Sequence, residues 1–443
     1  MSQSKTVLGA LLLLCSLVVL GQEAEKETKT KTGWNFGALP VITYNTDLGL
    51  QYGALTNIYN YGDGKAYPMY YHSFYAEISR YTKGSGIYRF FYDSKFLIPN
   101  IRFTGDIAYL PDEALDFYGF NGYKSILNKD WEDDSSDSYK TRMFYKHKRN
   151  MFRTKLDFQG KTGLENLNWA AGLELNNIVI STVDVDKLNK GKSGDKILPD
   201  TATLFDNYVE WGIIKPEETD GGFFTTLKAG VVFDTRDNEP NPMKGLWSEV
   251  VVAQSLNSDF TYTKLAITHR QYFTLIDENL SFAYRLGYQG IIAGDAPFYA
   301  LPNMVFSFIP SSTTDGLGGS KSVRGLVRNR VVGKGMMYGN LELRWKFTHF
   351  TFKNQNFYLA LSPFMDFGEV LQDKKIDKSS IPLTVNQDEY FDNELKEDKV
   401  HITYGTGFRI AMNQNFIVAV DAGFPLKEQD GDMGLYIGLN FLF

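Results

Sequence analysis

The chain has 443 residues and a formal net charge of −6, with Lys+Arg 46 against Asp+Glu 52. That balance argues against a nucleic-acid partner, which calls for a basic face. Mean hydropathy is −0.27, and no apolar run after residue 20 approaches the roughly 20 residues of a membrane helix. Aromatics reach 15%, with 27 Tyr and 33 Phe beside 40 Gly. In short alternating segments, such a composition fits an all-β protein, and aromatic girdles are a feature of membrane barrels.

Lys5 precedes an apolar run from Val7 to Leu20, and Gly21 offers a small residue before Gln22. Residues 1–21 are expected to be a secretory signal peptide, because the run is too short to span a membrane. Cys15 is the only cysteine, and Leu14 precedes it where lipidation expects a small residue. The dozen polar residues 22–33 read as a short periplasmic segment with no room for a folded domain. Residues 34–443 then form one unit.

From Trp34 onward, alternating segments separated by turns number sixteen. The first five are Trp34–Tyr44, Leu48–Tyr61, Met69–Tyr81, Ile87–Leu97 and Ile101–Tyr109. A long polar excursion, Pro111–Arg149, leads to Met151–Gln159 and Asn168–Asn177, and a second, Ser181–Gly221, to Phe223–Asp234. Leu246–Gln254, Phe260–Phe273 and Leu280–Gly290 follow. The twelfth segment ends the stretch Asp315–Phe347, and the last four are Asn356–Val370, Val400–Met412, Asn415–Phe424 and Gly434–Phe443. Long excursions follow segments five, seven, eleven and thirteen, all odd, whereas connections after even segments are mostly short. Outer-membrane barrels show this asymmetry, with long loops outside and short turns in the periplasm. The expected fold is therefore an all-β, 16-stranded antiparallel transmembrane barrel with both termini in the periplasm.

The stretch Asp315–Phe347 organises the rest. It begins as a Gly- and Arg-rich loop around Ser322-Val323-Arg324-Gly325 and continues as a strand in strict alternation. Leu341, Leu343, Trp345 and Phe347 point one way; Asn340, Glu342, Arg344 and Lys346 point the other. The charged set cannot face lipid, so Glu342 and Arg344, with Thr403 and Arg409 two strands on, are expected in a polar lumen. Arg324 would be costly in any dry place without a carboxylate. On the thirteenth segment, Leu359, Leu361, Met365 and Phe367 share the outward face, which turns Phe364, Asp366 and Gly368 inward. Alternation alone leaves two readings open: Asp366 pairs with Arg324 in an inward-folded loop, or it is one of many lumen charges and Arg324 lies outside.

At the C-terminus, Leu435, Ile437, Leu439, Phe441 and Phe443 alternate with Tyr436, Gly438 and Asn440. A lipid-facing last strand closing on a terminal aromatic, with Tyr436, Gly438, Phe441 and Phe443 as its marks, looks like the sorting signal of outer-membrane barrels.

Val323-Arg324-Gly325 before the twelfth strand, Phe364-x-Asp366-x-Gly368 on the thirteenth, and the turn from Asp234-Thr235-Arg236-Asp237 through Pro242 and Gly245 resemble the BamA/TamA superfamily of outer-membrane assembly and translocation barrels. The resemblance covers Trp34 to Phe443. It implies an extracellular loop folded into the lumen and locked by Arg324 on Asp366, and a weak seam where the first and last strands meet. The chain departs from the family's pattern at Leu326, where an aromatic is usual, and in the absence of periplasmic polypeptide-transport domains. Separate periplasmic or lipoprotein partners would then supply the receiving surface, and outer-membrane lipids and lipopolysaccharide surround the barrel. The function implied is insertion or translocation of proteins or lipids. The alternatives are a passive or gated channel and a surface-binding scaffold.

His72, His147, His269, His349 and His401 show no paired metal spacing, and no Gly-x-Ser-x-Gly nucleophile is present. No metal, cofactor or catalytic residue is expected. The acidic runs Glu132–Asp137 and Asp430–Asp432 read as solvated loop.

Overall fold

The computed structural model describes residues 30–443 except 67–68, 240, 258, 304–307, 309–314, 353–354, 413–415 and 440. The expected signal peptide and residues 22–29 lie outside the described residues.

Sixteen strands follow one another. They are β1 (Trp34–Asn45), β2 (Gly49–Asn60), β3 (His72–Tyr81), β4 (Gly86–Ile98), β5 (Ile101–Asp116), β6 (Lys146–Lys161), β7 (Leu167–Ser181) and β8 (Gly221–Asp234). The second half comprises β9 (Gly245–Leu256), β10 (Thr261–Ile276), β11 (Leu280–Gly294), β12 (Gly335–Phe352), β13 (Gln355–Gln372), β14 (His401–Met412), β15 (Phe416–Pro425) and β16 (Gly434–Leu439). Each pairs antiparallel with its sequence neighbours, and β1 meets β16 to close the barrel. The alternation sets the two faces: Leu343, Trp345 and Phe347 are exposed to the outside, whereas Asn340, Glu342 and Arg344 are buried in the lumen.

Strand boundaries differ from the sequence reading most clearly at β5, β6 and β16. β5 continues seven residues beyond Tyr109 and β6 begins five residues before Met151, through a stretch whose charge reads as loop. Those charges face inward and pair across the ladder. Asp112 lies opposite Arg149, whose Nη2 donates to its Oδ2 at 2.9 Å, and Lys146 pairs with Asp116. At the other end, β16 stops at Leu439. Phe441 and Phe443 do not face lipid; they turn into the lumen, where Phe441 packs with Tyr358, Ala360, Ala411 and Ile417, and Phe443 with Tyr272 and Ala283.

The extracellular loops are not simply solvated. Phe117, Phe120, Trp131, Phe144, Tyr145, Phe205, Tyr208, Trp211, Phe298 and Phe391 form one buried aromatic core over the barrel mouth. A helix at Leu204–Glu210, inside the excursion read as polar, feeds Leu204, Phe205 and Tyr208 into it. Thr203 starts that helix with a capping box, its hydroxyl accepting from the Asp206 amide while the Asp206 carboxylate accepts from the Thr203 amide.

Ladder strength is uneven around the barrel. β1 and β2 pair along their whole length, from Trp34–Asn60 to Asn45–Gly49. On its other side β1 has only Tyr44 paired with Ile437 and Asn45 with Tyr436, extended by Thr46, whose amide donates to the Leu435 carbonyl at 3.0 Å. Residues Trp34–Thr43 have no β16 partner among the described residues. Pro40 sits in this stretch, where a residue without an N–H is tolerated because the strand is an edge.

Candidate functional site: a buried arginine beside the seam

The connection from β11 to β12 drops into the barrel, and its tip carries Val323-Arg324-Gly325. Val323 packs with Leu317, Leu326, Val331, Met336 and Val370 in a fully apolar cluster, so Leu326 fills with an aliphatic side chain the place where an aromatic is usual. Gly368 on β13 makes room for this cluster: a Cβ there would stand 2.8 Å from Leu317 Cδ1 and 3.3 Å from Val323 Cγ2. Gly325 has φ +93°, and a Cβ on it would lie 2.6 Å from the backbone of Gly423 in β15, so the loop rests directly on the wall. The Gly325 amide also donates to the Tyr436 hydroxyl of β16 at 3.1 Å.

Arg324 is fully buried, and its guanidinium meets Asp366 side-on: Nε donates to Oδ2 at 2.8 Å and Nη2 to Oδ1 at 2.9 Å. Its backbone amide adds a third bond to Asp366 Oδ2 at 3.0 Å. Nη1 donates to Glu342 Oε1 at 2.7 Å, with Asp421 Oδ2 at 3.8 Å, and the Phe364 ring lies 3.6 Å below the guanidinium carbon. Burial alone would lower the Arg324 pKa, but the charges of Asp366 and Glu342 outweigh it and hold the pKa above its ordinary value. A planar fork matched to a carboxylate, with each of its three nitrogens donating to Asp366 or Glu342, fixes the loop tip in one position.

The same carboxylates extend the network. Arg344 Nε donates to Glu342 Oε2 at 2.9 Å, and Arg409 Nη1 stands 2.7 Å from Asp421 Oδ1. Arg344 Nη2 reaches the backbone oxygen of Phe443 at 2.7 Å. The turn after β8, singled out by its sequence, closes over Arg236, which pairs with Asp234 at 2.8 Å, and Asn241 Nδ2 donates to the Tyr358 hydroxyl in the lumen at 3.0 Å.

The structure thus brings together Val323, Arg324, Gly325, Phe364, Asp366, Gly368, Glu342, Arg344 and Arg409. Of the residues read as a sorting signal, Tyr436 contacts the loop, Gly438 pairs with Ala419 in β16's ladder, and Phe441 and Phe443 lie in the lumen. Sequence reasoning missed Asp421, although its alternation within β15 offered the signal. It also missed a buried joint in the roof, where His401 Nδ1 lies 2.6 Å from Asp430 and Nε2 lies 3.3 Å from Asp398, with the Tyr123 ring stacked 3.7 Å away. Asp430 is therefore not part of a solvated run. Asp47, in the turn after β1, is half-buried; its Oδ1 accepts from the Arg328 amide at 3.4 Å, while Oδ2 is buried with no hydrogen-bond partner. Burial and the neighbouring Asp116 push its pKa up to about 7, against the opposing charge of Arg328.

An Omp85 superfamily domain model matches residues 73–443. Among solved structures, BamA from Haemophilus ducreyi lacking POTRA domains 1–3 is similar at 16% identity and a TM-score of 0.54, over 93% of this chain and 71% of that one. CdiB from Acinetobacter baumannii is similar at 13% identity and a TM-score of 0.42, over 93% of this chain and 60% of that one. No curated protein matches the chain.

Proposed function

Because the chain belongs to the Omp85 superfamily of outer-membrane assembly and translocation barrels, we propose that it inserts or translocates proteins or lipids in outer-membrane biogenesis, and that it does so at the β1–β16 seam. The observation that carries this reading is the contrast between the two edges of β1. One is paired over its whole length; the other is held by two residue pairs next to the extracellular turn. An edge with unpaired N–H and C=O groups is a template for an added strand, and inside a membrane those groups gain most from finding partners.

In this reading the Arg324 loop is structural. It fills the lumen and anchors β16 through Tyr436, so the opening is at the wall while the pore stays shut. Periplasmic or lipoprotein partners would deliver the cargo from below, and outer-membrane lipid and lipopolysaccharide would receive it at the side.

The test is a disulfide across the seam at the register partners Tyr44 and Ile437, as Tyr44→Cys with Ile437→Cys. Reconstituted into vesicles, the oxidised protein is expected to lose its ability to speed membrane insertion of an unfolded barrel, or transfer of labelled phospholipid between leaflets, and to regain it with reductant. An oxidised seam that leaves both untouched would remove the proposal, and steady conductance in the same membranes would favour a passive channel instead.

A further inference from the structure

One row of side chains crosses the inner wall from β8 to β13. It runs Asp234, Trp247, Arg270, Arg285, Asn340, Asp366, each directly opposite the next in the successive ladders. The carboxylates at its two ends are taken: Asp234 pairs with Arg236, and Asp366 holds Arg324. Arg270 and Arg285 therefore stand side by side with no carboxylate between them. Like charges directly opposite each other on a ladder are unfavourable, and more so away from bulk water.

Neither guanidinium is neutralised by what surrounds it. Arg285 is buried, yet its acceptors are all uncharged: Asn340 Oδ1 at 2.7 Å from Nε, and the carbonyls of Lys321 and Ser322 at 3.2 and 3.4 Å from Nη2. Arg270 is half-buried on the lumen face, and its Nε is buried with no hydrogen-bond partner. No ion pair reaches either arginine among the described residues. Glu249, on the inner face of β9, turns one oxygen to the Phe308 amide at 2.9 Å. The remaining contacts are with rings: Trp247 lies 5.0 Å from the Arg270 guanidinium, and Tyr338 lies 5.0 Å from that of Arg285. Rings attract the charge but offer no lone pairs to the N–H groups, so the donors stay unused.

We propose that Arg270 and Arg285 form a lumen site for a phosphate group, with one anion spanning both guanidiniums. Two adjacent cations are balanced by one group only if it carries about two negative charges, as a phosphate monoester does at neutral pH. A carboxylate supplies one charge and two oxygens; a terminal phosphate supplies three strong acceptor oxygens for two forks. Trp247 closes one side of the site and Asn340 the other, where it holds Arg285 in place. The half-buried side chain of Arg270 is the side from which the anion enters. This inference stands apart from the seam: it concerns what the lumen holds, whether or not cargo passes β1.

The test reads the arginines directly and needs no transport assay. The full chain is folded in a non-ionic detergent, with the heat-shifted gel band confirming the barrel, and the rate at which phenylglyoxal modifies Arg270 is followed by peptide mass spectrometry. Inorganic phosphate and dihexanoyl phosphatidic acid are each expected to slow that rate several-fold, while chloride at matched ionic strength and dihexanoylglycerol leave it unchanged. Protection by the lipid at far lower concentration than by inorganic phosphate would assign the site to a lipid headgroup; equal protection would assign it to free phosphate. Calorimetry with inorganic phosphate should show binding that Arg270→Gln weakens by about tenfold or more, and that Arg270→Lys, which keeps the charge without the fork, weakens less. Should the variants fail to fold, the protection reading decides alone. Modification indifferent to both phosphates, or slowed equally by chloride, would overturn the proposal, as would unchanged phosphate affinity in folded Arg270→Gln.

Discussion

Arg324 carries a permanent charge to the middle of the barrel, and its stability there depends on having both carboxylates. Removing one partner of a buried pair strands the other charge, at a cost of about 3–5 kcal/mol. Asp366→Ala should therefore lower the midpoint of unfolding in urea strongly, whereas the double change Arg324→Ala with Asp366→Ala should cost less than the sum of the two singles, because no charge is left alone. Additive effects would contradict the geometry. Gly325→Ala forces a Cβ at positive φ into the backbone of Gly423 and should destabilise the loop tip, seen as faster hydrogen exchange at the amides of 323–326. Asp47 gives a pH signature. Its folded pKa, about 7, lies above the ordinary carboxylate value, so its contribution to stability is complete below that ordinary value and is lost as pH rises through about 7. Once the intrinsic rise of exchange with pH is divided out, the amides of the turn after β1 should be less protected at pH 8 than at pH 5.5, with Asp116, Arg328 and Lys146 as the charged neighbours, and Asp47→Asn should flatten that difference in protection. At this scale the sequence was half informative. Alternation placed Asp366, Glu342 and Arg344 inside, but pairing depends on how far a loop descends, and nothing local encodes that depth. The Arg324–Asp366 pair was reached through a motif.

At the scale of elements, period-two alternation made all sixteen strands legible, because lipid outside and charge inside impose opposite demands on successive residues. It failed where that contrast fades. Above the membrane, β5 and β6 continue with charged residues on the inner face, and the Asp112–Arg149 and Asp116–Lys146 pairs hold a ladder whose composition reads as loop. At β16 the alternation persists to Phe443 while the strand ends at Leu439, and the last rings lie against Arg285, Arg344 and Arg409. The helix at Leu204–Glu210 was lost among polar neighbours although its Thr203-x-x-Asp206 start is a capping signal. Thr203→Ala should cost about 1 kcal/mol locally, visible as faster exchange across 204–210, with the barrel's own unfolding midpoint unmoved.

For the whole molecule, the loop around Arg324 lies inside the barrel and an aromatic core lies across the loops above it, two layers that should both obstruct the pore. Planar bilayers containing the protein should show little steady current, and an open, voltage-independent level would mean that neither closure holds. The barrel's order of strands could be read from the sequence because each strand pairs with its neighbour; the roof could not, because its core draws Phe117, Phe205, Phe298 and Phe391 from four separate loops. That core also sets a sequence of events. Contacts so distant along the chain close late, once the strands beneath have brought the loops together. The outer surface the cell displays is therefore a certificate of completed assembly: an antibody raised against the folded roof should stain only finished barrels, and partly inserted chains should pass unseen.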